Sequence, residues 1–133
     1  MLRLVERRTT GYFNAVTRPR QYTIGDVVRA SLDASPGNDT RVTWVPETFL
    51  FRQWKPEEVD LPPWSPMSGE FAGASLTSSE RAHAAGLATR PLAETVRDTL
   101  QWFRTLPADR QAKLKAGLDP AVEATTLAAW HKA

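Results

Sequence analysis

Residues 78–104, SSERAHAAGLATRPLAETVRDTLQWFR, constrain the fold more than any other stretch because they carry their own punctuation. Ser78 and Ser79 are residue types that accept hydrogen bonds from the free amides of a first helical turn. Gly86, after an alanine-rich run, is a natural left-handed terminator. A short helix is therefore expected to end near Gly86. Pro91 then fits a first helical position, and Leu92, Val96, Leu100 and Phe103 recur at helical spacing with Trp102 beside them. Glu94, Arg97, Asp98, Gln101 and Arg104 fill the other face, so this second helix has one side to pack and one to hydrate.

The rest of the chain is punctuated in the same way. Residues 1–8 read as a helix with Leu2, Leu4 and Val5 on its apolar side; nothing ahead of Met1 caps it, so the chain reads either as beginning inside an element or as a frayed terminal helix. Gly11 closes that helix, and residues 12–16 form a short aromatic and β-branched run suited to a strand. Thr23 offers an N-cap with Asp26 in the first turn, and Ile24, Val27, Val28 and Leu32 give a helical face that stops before Ser35-Pro36-Gly37. Residues 41–45 alternate as a half-buried second strand does. Pro46 and Glu47 start a short helix carrying Phe49, Leu50 and Trp54. Residues 55–69 hold four prolines and no period, which reads as a long ordered loop or lid. Residues 71–76 return as a third short strand, with Gly73 marking a bulge or close backbone approach. Beyond Arg104, Leu106-Pro107-Ala108-Asp109 breaks the helix, a short basic segment follows, and Asp119-Pro120 caps a last helix bearing Leu127 and Trp130. The expected architecture is α/β: one domain over residues 1–133, with a small sheet of two to three short strands and five to six helices.

Composition narrows the function classes. A chain of 133 residues supports one modest core. No stretch approaches the roughly 20 apolar residues of a membrane span, and the N-terminus lacks the apolar run of a signal peptide. A soluble, cytoplasmic chain without membrane contact is expected. The absence of cysteine excludes a disulfide framework and a thiolate metal site. The net charge is only +2. Arg3, Arg7, Arg8, Arg18 and Arg20 are the one basic concentration, and no aromatic interleaving accompanies them, so a nucleic-acid partner is not expected.

Several motifs point to a family. Gly11-Tyr12-Phe13-Asn14-Ala15-Val16, Ser78-Ser79-Glu80-Arg81-Ala82, Ala85-Gly86-Leu87, Arg90-Pro91-Leu92 and the helix from Glu94 to Trp102 occur in an order and spacing that resemble the C-terminal, substrate-binding region of extended short-chain dehydrogenase/reductases, the NAD-dependent epimerase/dehydratase group. The resemblance spans nearly the whole chain. It implies a parent enzyme that binds NAD or NADP in an N-terminal Rossmann domain and epimerises, dehydrates or reduces a nucleotide sugar or other carbonyl compound, with this region closing over the substrate. It also implies a homo-oligomer or a Rossmann-domain partner, because apolar surface that includes Leu2, Val5 and Tyr12 would otherwise be left uncovered. A free-standing protein-interaction module derived from the same fold is the other reading.

The chain departs from that family where the chemistry should be. Its seven glycines, at 11, 25, 37, 69, 73, 86 and 117, write neither Gly-x-Gly-x-x-Gly nor a phosphate-binding loop. The catalytic Tyr-x-x-x-Lys has no counterpart, since Val16 follows Tyr12 and Asp26 follows Tyr22 at the fourth position. No cofactor-binding or catalytic residue is therefore assigned, and hydride chemistry has no proton relay in this chain. His83 and His131 read as surface histidines without metal-ligand spacing. The candidate substrate-binding residues are Trp64, Pro63, Arg90 and Trp44. Leu61-Pro62-Pro63-Trp64-Ser65-Pro66 places an indole on a stiffened backbone, which suits stacking on a flat ligand or plugging a core beneath a loop. Trp44, Phe49 and Trp54 form either one wall of that pocket or part of the core. Arg90, just before the Pro91 helix, occupies a place where the family often presents a basic residue to substrate; pairing with Glu94 or an acidic neighbour is its structural alternative.

Overall fold

A computed structural model of the chain describes residues 2–37, 39–54, 64, 69–114 and 117–133. Among the described residues there are seven α-helices and no β-strand. The helices are α1 (Leu2–Glu6), α2 (Ile24–Ala34), α3 (Glu47–Gln53), α4 (Glu80–Ala84), α5 (Leu92–Arg104), α6 (Ala108–Ala112) and α7 (Pro120–Trp130). The α/β architecture expected from the sequence is thus corrected to an all-helical one.

The helices begin and end where local chemistry closes their free backbone groups. At the start of α2, Asp26 N–H donates to Thr23 Oγ1 at 3.2 Å while Thr23 N–H donates to Asp26 Oδ2 at 2.8 Å, a reciprocal capping box. Asp119 Oδ1 accepts from Ala121 N–H at 2.8 Å and opens α7, with Pro120 as its first residue. Gly86 terminates α4 at φ +95°, where the Leu87 N–H reaches back to Ala82 O at 2.9 Å. Pro91 takes the N-cap position of α5, one residue earlier than the sequence implies, because its extended ψ of 142° leaves Leu92 as the first helical residue. Pro107 repeats this device and opens α6, which the sequence reading had passed over as a break.

Two of the three expected strands, residues 12–16 and 41–45, carry the alternation and β-branching of a strand, but a strand exists only when a neighbour pairs with its backbone. Residues 12–16 belong to a strap held by side chains. The Arg81 guanidinium donates to Thr10 O at 3.3 Å and lies 4.8 Å from the centre of the Phe13 ring. Asn14 Nδ2 donates to Ser78 O at 3.0 Å, and Ser79 Oγ donates to Thr17 O at 3.2 Å. Ser79 is fully buried by this contact, and its hydroxyl is thereby diverted from capping α4. Gly11, at φ +125°, passes directly beneath the Arg81 guanidinium, where a side chain would collide. Residues 41–45 carry no regular secondary structure and belong to no ladder among the described residues. Residues 71–76 fold instead into parts of two 3-10 turns, Gly69–Phe71 and Ala74–Leu76.

Two helix pairings organise the packing, α2 on α5 and α3 on α7. At the second, Phe49 is 6 % exposed and meets the Trp130 ring edge-on, with centroids 5.0 Å apart and planes at 72°. Beside it, Trp54 Nε1 donates to the buried Thr126 Oγ1 at 2.8 Å. Several large apolar side chains are uncovered: Val5 is 75 % exposed, Tyr12 95 % and Trp102 60 %. The Leu2 side chain lies outside what the structure describes. No helix among the described residues is long and apolar enough to cross a membrane.

Candidate functional site

Between the two helix pairs lies an open hollow of about 500 Å³, within the size range of small-molecule sites. The capping box fixes the start of α2, so Ile24 and Val28, four residues apart, present one face to it. Glu47 and Leu50 do the same from α3, as do Glu123, Thr126 and Leu127 from α7. Residues 41–45 close a further side, and Trp54, Trp64 and Leu118 complete the lining.

Three indoles dominate this lining, and each is placed differently. Trp54 is fixed by its N–H bond to Thr126, whose hydroxyl in turn donates to Val122 O at 2.8 Å. A smaller recess of about 290 Å³, lined by Val122 and Thr125, shares Trp54 and Thr126 as its wall. Trp64 is half-buried and leans on Phe51, with centroids 6.4 Å apart and planes at 49°. Trp44 is 59 % exposed at the rim, with Gly25 close beneath its ring. Polar capacity comes from Arg41, Thr43, Glu47 and Glu123. Thr126 has already committed its hydroxyl to Trp54 and to its own helix.

Of the residues selected from sequence, the structure brings Trp44 and Trp64 together on the hollow. Pro63 lies outside the described residues, as do residues 55–63 and 65–68 of the expected lid. Arg90 is paired with Asp98 of α5, both side chains about half exposed, and it is not part of the lining. The alternatives left open for Trp44, Phe49 and Trp54 divide: the two tryptophans are wall, and Phe49 is core. His131 is exposed as expected, but His83 is half-buried with Nδ1 3.0 Å from Leu87 O. No group of three His, Asp or Glu side chains among the described residues is placed to hold a metal ion. Sequence reasoning missed Arg41, Glu47, Glu123 and Thr126 as lining, and counted Ile24, Val28, Leu50 and Leu127 only as core-facing. Helical spacing marks the latter four as inward residues without saying whether the inside is filled or hollow; Arg41 gives no signal.

No protein-family model matches the chain, and no curated protein or solved structure matches it significantly.

Proposed function

We propose that the chain is the substrate-binding region of an NAD- or NADP-dependent epimerase, dehydratase or reductase of the extended short-chain dehydrogenase/reductase kind, acting with a separate nucleotide-binding unit. The observation that carries this reading is an indole-walled hollow of about 500 Å³ on a chain that has neither a glycine-rich phosphate loop nor a Tyr-x-x-x-Lys pair. Support comes also from the contact between two of the motifs on which the resemblance rests. Gly11-Tyr12-Phe13-Asn14 and Ser78-Ser79-Glu80-Arg81, more than sixty positions apart, are joined by the Asn14–Ser78 and Arg81–Thr10 bonds and by Arg81 on Phe13. The uncovered side chains of Val5, Tyr12 and Trp102 fit a chain that packs against another body, either the nucleotide-binding unit or a second copy of itself.

In this role the region binds and orients a carbonyl substrate and excludes water above it, while hydride transfer and the proton relay belong to the partner unit. The test has two parts. A reading frame upstream of Met1 should encode Gly-x-x-Gly-x-x-Gly and Tyr-x-x-x-Lys, and the two units together should turn over a nicotinamide while the 133-residue chain alone does not. Tight, specific binding of NADH or NADPH to the 133-residue chain by calorimetry contradicts the assignment. An upstream frame of unrelated type favours the interaction-module reading, for which the same uncovered apolar surface is the docking face.

A further inference from the structure

We propose that the face formed by α1 and the strap of residues 8–20 binds single-stranded nucleic acid, an inference that goes beyond the substrate-binding reading and does not rest on it. Charge is the first observation. Residues 1–22 carry five arginines, Arg3, Arg7, Arg8, Arg18 and Arg20, against one carboxylate, Glu6, a net +4; the whole chain carries +2, which leaves −2 for residues 23–133. All five arginines are exposed, and none of their guanidinium groups has a hydrogen-bond or ion-pair partner among the described residues. Their order along the chain does not by itself predict such a partner, because they stand in separated groups. The fold supplies the convergence: Thr10 is pinned by Arg81, Asn14 by Ser78 and Thr17 by Ser79. Both ends of the strap thus return to the residues that open α4, and from there Arg7 and Arg8 lead away on one side and Arg18 and Arg20 on the other. Arg3 borders the opposite end of α4, with its Nη1 3.1 Å from the position a Gly86 side chain would take.

Backbone strain is the second. Arg8, at φ +49°, and Arg20, at φ +61°, are the non-glycine residues in the left-handed region among the described residues. Arg8 closes α1, where its N–H donates to Val5 O at 3.0 Å and the Thr9 N–H to Leu4 O at 2.9 Å, a place that glycine fills at lower cost. Strain and charge therefore coincide at both ends of the strap, the pattern of positions kept for what they bind. Tyr12 is the third observation. Its ring is 95 % exposed between the two arginine pairs, whereas the Phe13 ring beside it is covered by Arg81. A basic path with a free aromatic ring holds an unpaired strand by guanidinium forks on phosphates and by a base stacked on the ring. With a base on it, Tyr12 is withdrawn from the packing surface, which keeps Val5 and Trp102. An anionic membrane fits this face less well, because the strap is not helical and its backbone groups would lose water without internal partners. An acidic polypeptide would engage the arginines, but its carboxylates offer Tyr12 no flat ring.

The probe is a fluorescein-labelled oligodeoxythymidylate of about twelve nucleotides, titrated against the 133-residue chain by fluorescence anisotropy. Phosphate contacts from four or five arginines give log Kd against log salt a slope of about 3, a loss of affinity of about 60-fold between about 50 and 200 mM salt. Arg8→Gly and Arg20→Gly each remove a charge at a backbone position that glycine prefers, so each should lower the slope by about 0.7 while Tm stays at or above that of the native chain. Tyr12→Ala should weaken binding about tenfold at unchanged slope, and Tyr12→Phe should restore it. Absence of binding at about 50 mM salt overturns the proposal, as does a slope that the double variant Arg8→Gly/Arg20→Gly leaves unchanged. Tighter binding of polyglutamate or of phosphatidylserine vesicles than of the oligonucleotide overturns it too, and assigns the face to an acidic protein or to a membrane. A duplex of equal length bound as tightly, or a Tyr12→Ala variant without effect, overturns the single-strand assignment. Neither cofactor binding nor the upstream frame enters these measurements, so failure here and failure of the nicotinamide reading are separately visible.

Discussion

Phe49 joins α3 to α7, and replacing it with alanine tests whether that joint holds the hollow open. Its ring is 6 % exposed and edge-on to Trp130 at 5.0 Å, with the Arg52 guanidinium 5.7 Å above it. Truncating a buried phenylalanine costs about 3–5 kcal/mol, and the aromatic pair accounts for about 1 kcal/mol of that kind of loss. The low end of that range, about 3 kcal/mol, is taken for Phe49→Ala because the side chain keeps 6 % exposure. For 133 residues the unfolding entropy near the midpoint is about 0.28 kcal/mol/K, so this corresponds to a fall in Tm of about 11 °C. Urea unfolding followed by tryptophan fluorescence measures the loss at equilibrium, and the midpoint should move with little change in slope. Glu47 and Leu50 on α3 and Glu123 and Leu127 on α7 all line the hollow, so loosening the joint should also alter its walls. A loss below about 1 kcal/mol would refute the reasoning, because it would mean that this contact is surface decoration and not the joint.

Further outcomes follow from the strap, the cap and the surface pair. Gly11→Ala forces a side chain against the Arg81 guanidinium at a backbone angle of +125° and should cost about 1–2 kcal/mol, seen as faster amide exchange across residues 9–17. Asp26 is held below the ordinary carboxylate range, first by the Thr23 N–H, then by the Thr23 hydroxyl, with Arg29 adding a smaller effect. A depressed pKa contributes stability that is present above the ordinary value of about 3.9 and is lost as pH falls through the folded value. The stability difference between the native chain and Asp26→Ala should therefore be constant above about pH 5 and shrink below about pH 4; a difference that persists at pH 2 contradicts the capping account. Arg90→Ala removes a half-exposed, solvent-screened pair with Asp98 and should cost no more than about 1 kcal/mol by urea unfolding, and a clearly larger loss would contradict the reading of this pair as a surface one.

The helices were legible wherever one residue type does a local job. Thr23 with Asp26, Asp119 with Pro120, and Gly86 at φ +95° each satisfy or terminate their own helix through groups a few positions away, and such chemistry can be read without knowing the fold. Residues 12–16 and 41–45 show the limit of that logic. Their composition favours a strand, but pairing requires a second strand that alternation cannot announce. The Ser79 hydroxyl, expected to cap α4, serves Thr17 instead, sixty-two positions away. In the same way the Arg90 guanidinium found Asp98, eight residues on, because α5 turns that carboxylate toward it.

The amino-acid sequence by itself determined where most helices start and stop, and that no phosphate loop or Tyr-x-x-x-Lys is present. Only the tertiary structure decided that residues 12–16 and 41–45 are a strap and a wall and not a sheet, that Phe49 is core while Trp54 is lining, and that Trp44, Trp54 and Trp64 line one hollow. The reason is one of range. Caps, turns and helical faces are settled by interactions within a few residues, whereas a cavity and its charge exist only once α2, α3, α7 and residues 41–45 have been brought to a common place.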